Sequence, residues 1–218
     1  ANSTPLTDGA STVLLATEEW AKERGLPVLA YLTIGEAAAV DFIGKKEGLL
    51  MAPAYAVPSM LDKLDLTLQD FDFYEIHEAF ASQVLSTLKA WEDETFCKER
   101  LGRKKALGSI DRSKLNVKGS SLAAGHPFAA TGGRIIANAA KLLNEKGSGR
   151  ALISVCAAGG QGVARRGWGA LPRDRHPARG GQEDRSPVVQ APAPGRDHRR
   201  GRGRGRRGHR RRNHRRAG

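Results

Sequence analysis

Three short segments of the sequence contain residue types that can carry out chemistry. They centre on His77 in EIHEAF, on His126 in GHPFAATG and on Cys156 in CAAGGQG. A thiol can act as a nucleophile or as an acid–base group once its surroundings shift its pKa from about 8.5. Imidazoles can donate hydrogen bonds to a developing oxyanion, and glycine-rich backbone can approach a ligand closely and present free N–H groups. These residue types together suit a reaction that stabilises an oxyanion beside a thiol.

Each segment taken alone has a simpler structural interpretation. His77 could be a structural histidine at a strand end, and His126 before Pro127 could mark a helix entry. Cys156 could be a buried inert thiol, and the glycines after it could form only a turn. However, all three segments fall at the carboxyl end of a predicted strand or at the helix entry that follows it. Open α/β sheets place their sites there, so we predict that the three segments form one site.

Spacing excludes several other kinds of site. A helical zinc-protease motif would need a second histidine four residues after His77, but that position is Ala81. The sequence contains no phosphate-binding loop that ends in Gly-Lys-Ser/Thr and no paired-cysteine zinc motif. It also lacks the G-x-S-x-G elbow of serine hydrolases. We therefore predict a site without a metal ion.

The elements that would position these segments alternate between strands and helices. Apolar and β-branched runs predict strands at residues 27–34, 71–76 and 151–156. Apolar residues at helical spacing predict helices at residues 58–64, 79–91 and 127–146. Residues 92–118 are polar and interrupted by glycines, which predicts loops. This alternation predicts an α/β layered domain, a mixed sheet covered by helices.

The basic charge of the chain is confined to its last quarter. The formal net charge is +13 over 218 residues, but residues 164–218 contain 18 Arg, no Lys and 4 acidic residues. We predict a disordered tail from Ala164, and a sheet edge left unpaired because residues 164–168 cannot form a strand. We interpret the tail as a shifted reading frame in a GC-rich gene. The alternative is an Arg/Gly-rich arm that binds nucleic acid through phosphate contacts.

The cysteines and the apolar segments bear on the compartment. Cys97 and Cys156 follow no pairing pattern, which favours free thiols in a reducing compartment. No apolar run approaches the length of about 18 residues that a membrane-spanning helix needs. The first residues do not have the pattern of a secretory signal. We therefore expect a cytoplasmic protein without a membrane span.

Three blocks of sequence resemble the signature segments of thiolases: HEAFA at residues 77–81, NVKGSSLAAGHPFAATGGR at residues 116–134 and CAAGGQG at residues 156–162. NSTPLTDGAS at residues 2–11 resembles the segment that closes the first domain of the family. The resemblance covers residues 1–163. It is nearest in appearance to the degradative 3-ketoacyl-CoA thiolases of fatty-acid β-oxidation, with the biosynthetic acetoacetyl-CoA thiolases as the alternative.

This resemblance implies a two-step acyl transfer from 3-oxoacyl-CoA to CoA, with CoA as a substrate and no cofactor. His126 would activate the nucleophilic cysteine and contribute to an oxyanion hole, and His77 would donate to the same oxyanion or orient a water. Cys156 would be the acid–base group. The backbone N–H groups at Ala158 and Gly159 would form a second oxyanion hole, where one donor is typically worth about 3 kcal/mol of the barrier.

The resemblance also implies a domain division and partners. Residues 1–28 would end the amino-terminal domain, residues 29–163 would form the carboxy-terminal domain, and Gly125 and Phe128 would bind substrate. The nucleophilic cysteine of the family lies upstream in the first domain, and Cys97 is expected to be structural or at the surface. We therefore predict that this chain alone has no thiolase activity. The full-length enzyme is expected to be a homo-oligomer, and a multifunctional β-oxidation subunit is a possible partner by analogy.

Overall fold

The computed structural model describes residues 2–44, 47–169 and 186–190. They form a six-stranded mixed sheet in the order β1-β6-β2-β5-β4-β3. The strands are β1 (Leu14–Leu15), β2 (Val28–Ala39), β3 (Phe73–Ile76), β4 (Arg150–Ala157), β5 (Gln161–Trp168) and β6 (Ser186–Val189). The helices are α1 (Glu18–Glu23), α2 (Pro53–Leu64), α3 (Ala81–Glu92), α4 (Glu94–Glu99), α5 (Ser121–Ala124) and α6 (Thr131–Lys146). Among these six described strands, β3 and β4 pair in parallel and the other strand pairs are antiparallel. The predicted layered α/β domain with a mixed sheet is confirmed.

Helices cover both faces of the sheet and bury one apolar cluster on each. On one face, α2 and α3 pack against β3 and β4 around Leu61, Tyr74 and Trp91. On the other face, α6 packs against β2 and β4 around Ile135 and Leu143. The strand β2 contributes to both clusters because its pairing register shifts between Leu32 and Gly35. A bulge of this kind reverses the inward face of a strand.

The helix α2 begins at Pro53, five residues before the predicted start at Pro58. A proline inside a helix leaves the carbonyl four residues earlier without its usual N–H donor. Here that carbonyl belongs to Ala54, and the indole Nε1–H of Trp91 donates to it at 3.4 Å. The tertiary contact therefore replaces the missing hydrogen bond and allows Pro58 to remain inside the helix.

The prediction that residues 164–168 cannot form a strand and leave an unpaired edge is wrong. Residues 161–168 form β5, which pairs with β4 on one side and with β2 on the other. Ala164 is fully buried, and the buried Arg166 donates from Nε to Thr33 Oγ1 at 2.9 Å and lies over the Trp168 ring at 4.8 Å. The strand can therefore bury Arg166, because Thr33 and the Trp168 ring contact its guanidinium group. The rest of the predicted tail falls outside the described residues, except at 169 and 186–190.

The structure also differs from the sequence-based predictions in smaller ways. The region predicted as loops contains α4, whose first turn is capped by Asp93 Oδ1 accepting from the Phe96 N–H at 2.8 Å. The helix predicted from residue 127 begins as a 3₁₀ turn at Phe128–Ala130 and continues as α6. Gly147 ends α6 with φ of +83°. No helix in the described part of the chain is long and apolar enough to cross a membrane.

Candidate active site

The ends of β3 and β4 bring the first and third motifs to one edge of the sheet. Ile76 pairs with Ser154 in parallel register, and the His77 N–H donates to the Ser154 carbonyl at 2.8 Å. Cys156 lies two residues further along β4, so it reaches the same carboxyl edge as His77. The predicted convergence of these two segments at strand ends is therefore present in the fold.

His77 is buried and is held by a hydrogen-bond chain. Its exposed fraction is 2%, and its Nδ1 lies 2.8 Å from Ser121 Oγ in α5. Arg134 Nη2 in α6 donates to the same Ser121 oxygen at 3.1 Å. Burial, followed by the neighbouring His126 and then by the positive charge of Arg134, lowers the pKa of His77 to about 4. The imidazole is therefore neutral at physiological pH.

His126 stands against His77 in the loop between α5 and the 3₁₀ turn. The two rings meet edge to face with their centroids 4.2 Å apart, and the ring of Phe128 lies 4.8 Å from His126 on another side. Its Nδ1 lies 3.4 Å from Thr4 Oγ1, and the Thr4 hydroxyl donates its hydrogen to the Ala79 carbonyl at 3.3 Å. Partial burial and then the charge of Arg134 lower the pKa of His126. This leaves a neutral imidazole that can accept a proton.

A second set of contacts fixes the loop that carries His126 to the end of β3. The Asn116 side chain accepts from the Ile76 N–H at 2.9 Å and donates to the Ile76 carbonyl at 2.9 Å. It also donates to the Glu78 carboxylate at 2.7 Å, while the other Glu78 oxygen accepts from the Leu122 N–H at 3.2 Å. Asn116 has φ of +49°, a region that asparagine tolerates better than most residues. The sequence reasoning missed the role of Asn116 and Glu78, although both lie inside the signature blocks.

Cys156 and the turn after it form the third part of the site. Burial raises the pKa of Cys156 to about 11, so its thiol is protonated at neutral pH. Ala158 and Gly159 are exposed in the turn between β4 and β5, and their amides have no backbone acceptor within the described residues. Gly160 has φ of +76°, and a Cβ there would lie 2.4 Å from the Val40 carbonyl oxygen. The backbone of this turn thus requires glycine at position 160 and presents free N–H groups.

The two residues predicted to bind substrate flank His126. Gly125 is buried with φ of +89°, and a Cβ there would lie 2.6 Å from Thr7 Oγ1. Its glycine therefore lets the segment from residue 2 to residue 11 pack directly on the His126 loop. Phe128 is 73% exposed beside His126, which leaves an apolar ring free at the mouth of the site.

Cys97 lies outside this site. It is fully buried, and its thiol donates to the Ala90 carbonyl at 3.5 Å, which makes it part of the packing between α3 and α4. Within the described residues, no group of three or more histidine, cysteine or acidic side chains is arranged to hold a metal ion.

Glu75 is a buried carboxyl group behind the site that the sequence reasoning missed. It is fully buried two residues before His77, and neither of its oxygens has a hydrogen-bond partner within the described part of the chain. Burial raises its pKa to about 7, although the nearby charge of Arg134 and the amide of Asn138 oppose this effect. Its spacing from His77 places both side chains on the same face of β3, which is the signal that could have identified it.

The comparisons with known proteins agree with this geometry. The family model described as "Thiolase, C-terminal domain" matches residues 26–166. The chain belongs to the thiolase family. A 3-ketoacyl-CoA thiolase of Alteromonas mediterranea is 51% identical over 164 residues, which are 75% of this chain and 37% of the relative. A 3-ketoacyl-CoA thiolase of Vibrio cholerae is 49% identical over the same shares of the two chains.

Solved structures show the same fold. The acetyl-CoA acetyltransferase of Bacillus anthracis matches with a TM-score of 0.59 at 33% identity, covering 78% of this chain and 38% of that one. The dimeric peroxisomal thiolase of Saccharomyces cerevisiae matches with a TM-score of 0.60 at 32% identity, covering 78% of this chain and 37% of that one. This thiolase chain thus spans little more than a third of the length of these relatives.

Proposed function

We propose that this chain supplies the carboxy-terminal half of the active site of a degradative 3-ketoacyl-CoA thiolase. The reaction is 3-oxoacyl-CoA + CoA to acyl-CoA + acetyl-CoA. The observation that carries the proposal is the contact between two neutral imidazoles, those of His77 and His126, at the sheet edge where β4 delivers Cys156.

In the first step, His126 takes the proton from a nucleophilic cysteine, which the family resemblance places in the first domain. The thiolate attacks the 3-oxo carbon, and His77 donates a hydrogen bond to the oxyanion that forms there. The bond between carbons 2 and 3 then breaks, and its electron pair leaves as the enolate of acetyl-CoA. A neutral imidazole is suited to each role, because the base must accept a proton and the donor must keep one.

Cys156 completes both steps as an acid and then as a base. Its thiol is protonated at rest because burial raises its pKa to about 11, so it can give its proton to the enolate of acetyl-CoA. In the second step, the resulting thiolate takes the proton of CoA as the CoA sulfur attacks the acyl-enzyme. The cysteine of the first domain leaves as a thiolate and takes back the proton that His126 holds. The free amides at Ala158 and Gly159 would stabilise the enolate oxygen, so the cycle returns every proton without a metal or an organic cofactor.

We extend the proposal to the substrate, the partners and the cellular compartment. Gly125 and Phe128 would contact the substrate, with the exposed Phe128 ring toward the acyl or pantetheine chain. The relatives described above with about half of their residues identical are named 3-ketoacyl-CoA thiolases, which favours the degradative over the biosynthetic direction. We further propose a homo-oligomer, with a multifunctional β-oxidation subunit as a possible partner. Two buried free thiols are compatible with a cytoplasmic location.

The test joins the full chain, which keeps β6 between β1 and β2, to the amino-terminal domain of the Alteromonas mediterranea relative. CoA-dependent cleavage is measured on acetoacetyl-CoA and on longer 3-oxoacyl-CoA substrates. We expect activity in the chimera, none in this chain alone, and faster turnover of the longer substrates. A chimera that folds and assembles as the relative does, yet cleaves no substrate, would overturn the proposal.

Two variants of the chimera test the separate roles. We expect His126→Ala to lower kcat more than His77→Ala, because the first removes the base and the second removes one oxyanion donor. A donor of that kind is typically worth about 100- to 1,000-fold in kcat. Equal or reversed losses would show that the two roles are wrongly assigned. Cys97→Ser serves as the control, because that thiol packs between helices away from the site.

A further inference from the structure

The hydrogen bonds that join Arg134, Ser121 and His77 bear on which nitrogen of the His77 ring carries the proton. Arg134 Nη2 donates to Ser121 Oγ at 3.1 Å, and His77 Nδ1 lies 2.8 Å from the same oxygen. A guanidinium group has only donors, so the direction of the first hydrogen bond is fixed. The serine hydroxyl has a single hydrogen, and its direction decides which nitrogen of His77 is protonated.

Two arrangements are possible for the hydrogen between Ser121 and His77. If Nδ1 carried the proton, it would donate to Ser121 Oγ, and the serine hydrogen would need another acceptor. Within the described residues, the Ser121 hydroxyl has no partner besides His77 and Arg134. Ser121 is fully buried, so no solvent reaches that hydrogen. A buried donor without an acceptor is unfavourable enough to disfavour this arrangement by about tenfold.

We infer that Ser121, oriented by Arg134, is a positioning residue that donates to His77 Nδ1 and holds His77 as the tautomer protonated at Nε2. The relay consists of Arg134 donating to Ser121 and Ser121 donating to His77. It leaves Nε2–H as the only N–H of the ring. His77 can then only donate a hydrogen bond from that nitrogen and cannot act there as a base.

This inference gives the adjacent imidazoles of His77 and His126 different roles. Resting on the proposed function, it makes His77 a fixed donor toward an oxyanion and leaves proton abstraction to His126. The low pKa of His77, about 4, agrees with a ring that stays neutral throughout. The relay also explains why a serine that does not reach the substrate is buried beside the site.

The tautomer can be measured directly on the chain itself, labelled with ¹⁵N. Two-bond ¹H–¹⁵N correlation spectra distinguish a protonated ring nitrogen from an unprotonated one. The His77 signals are assigned by their loss in His77→Gln. We expect an unprotonated Nδ1 and a protonated Nε2 in the wild-type chain. A protonated Nδ1 overturns the inference, and this readout requires no turnover, so it is independent of the proposed thiolase reaction.

A variant pair tests whether Ser121 is responsible. We expect Ser121→Ala to move the His77 signals toward an average of the two tautomers while the His126 signals stay in place. The matched control is Ser120→Ala, since Ser120 is also fully buried but its hydroxyl donates to the Ile76 carbonyl at 3.4 Å. It should leave the His77 tautomer unchanged. An unchanged His77 spectrum in Ser121→Ala, or an equal change in Ser120→Ala, overturns the assignment to Ser121.

Discussion

The buried carboxyl group of Glu75 should make folding stability depend on pH in a direction opposite to that of most acidic residues. Its pKa rises from 4.5 to about 7 on folding because burial disfavours the charged form. Below pH 4.5 the group is neutral in both the folded and the unfolded chain, and folding carries no penalty. As pH rises from 4.5 toward 7, the unfolded chain ionises first, and the folded state loses stability relative to it.

The size of this effect follows from the two pKa values. One pKa unit corresponds to 1.36 kcal/mol, so the shift of Glu75 lowers the free energy of unfolding by about 3 kcal/mol between pH 4.5 and pH 7. The charge of Arg134 and the amide of Asn138 already oppose this loss, and Glu78 adds to it. Glu75→Gln keeps the shape of the side chain and cannot ionise. We therefore expect the variant to gain about 3 kcal/mol relative to wild type between pH 4 and pH 8.

The measurement is denaturant unfolding of both proteins at several pH values, compared as the difference between variant and wild type. That difference cancels the titration of every other group the two chains share. The control is Glu99→Gln, an exposed residue at the end of α4, whose difference from wild type should stay nearly constant with pH. A flat difference for Glu75→Gln would refute the reasoning, because it would mean that Arg134 fully compensates the buried charge.

Three further predictions concern packing, the glycine turn and the thiol. Gly160→Ala should cost about 3 kcal/mol or more of stability and Gly159→Ala about 1, as measured by urea unfolding. Both residues have positive φ, but only at position 160 would the added Cβ meet a backbone atom, the Val40 carbonyl oxygen, at 2.4 Å. Leu143→Ala should cost about 3 kcal/mol in the same assay and Leu85→Ala under about 1, since the first is fully buried and the second is half exposed. Alkylation of Cys156, followed by mass spectrometry, should accelerate about tenfold per pH unit between pH 8 and 10, because only the thiolate reacts; a rate independent of pH would contradict the raised pKa.

The sequence predicted best those elements whose apolar pattern agrees with their tertiary environment. The strand predicted at residues 151–156 is β4, which is extended by one residue at each end. Gly147 ends α6 as expected from a glycine after an apolar stripe. These elements can be predicted from their own residues, because a strand that is buried on both sides requires an apolar run and a helix end requires a capping residue.

The sequence-based predictions fail where a contact with a residue distant in sequence outweighs the local pattern. Pro58 argues against a helix that begins before it until Trp91 is seen to satisfy the carbonyl that proline leaves free. The arginines of β5 argue against a buried strand until Thr33 and Trp168 are seen around Arg166. Trp168 lies only two residues after Arg166, but Trp91 and Thr33 are far away in sequence, so no local pattern could have supplied their contacts.

The candidate site shows the same division between local and distant information. His77, His126 and Cys156 could be selected from the sequence because their chemical types are uncommon and their motifs lie at strand ends. Ser121 could not, because its significance depends on a contact that only folding creates. The spacing of Glu75 from His77 could have drawn attention to it, but not the lack of a hydrogen-bond partner for its oxygens among the described residues. The sequence therefore identifies the groups that can react, and the structure identifies the groups that control their protonation.

Arg134 connects these controlling groups, because a single positive charge acts on three ionisable side chains. It lowers the pKa of Glu75, of His77 and of His126, and it donates to the serine that holds His77. The lowered values keep both imidazoles neutral, while burial keeps Glu75 largely protonated below pH 7.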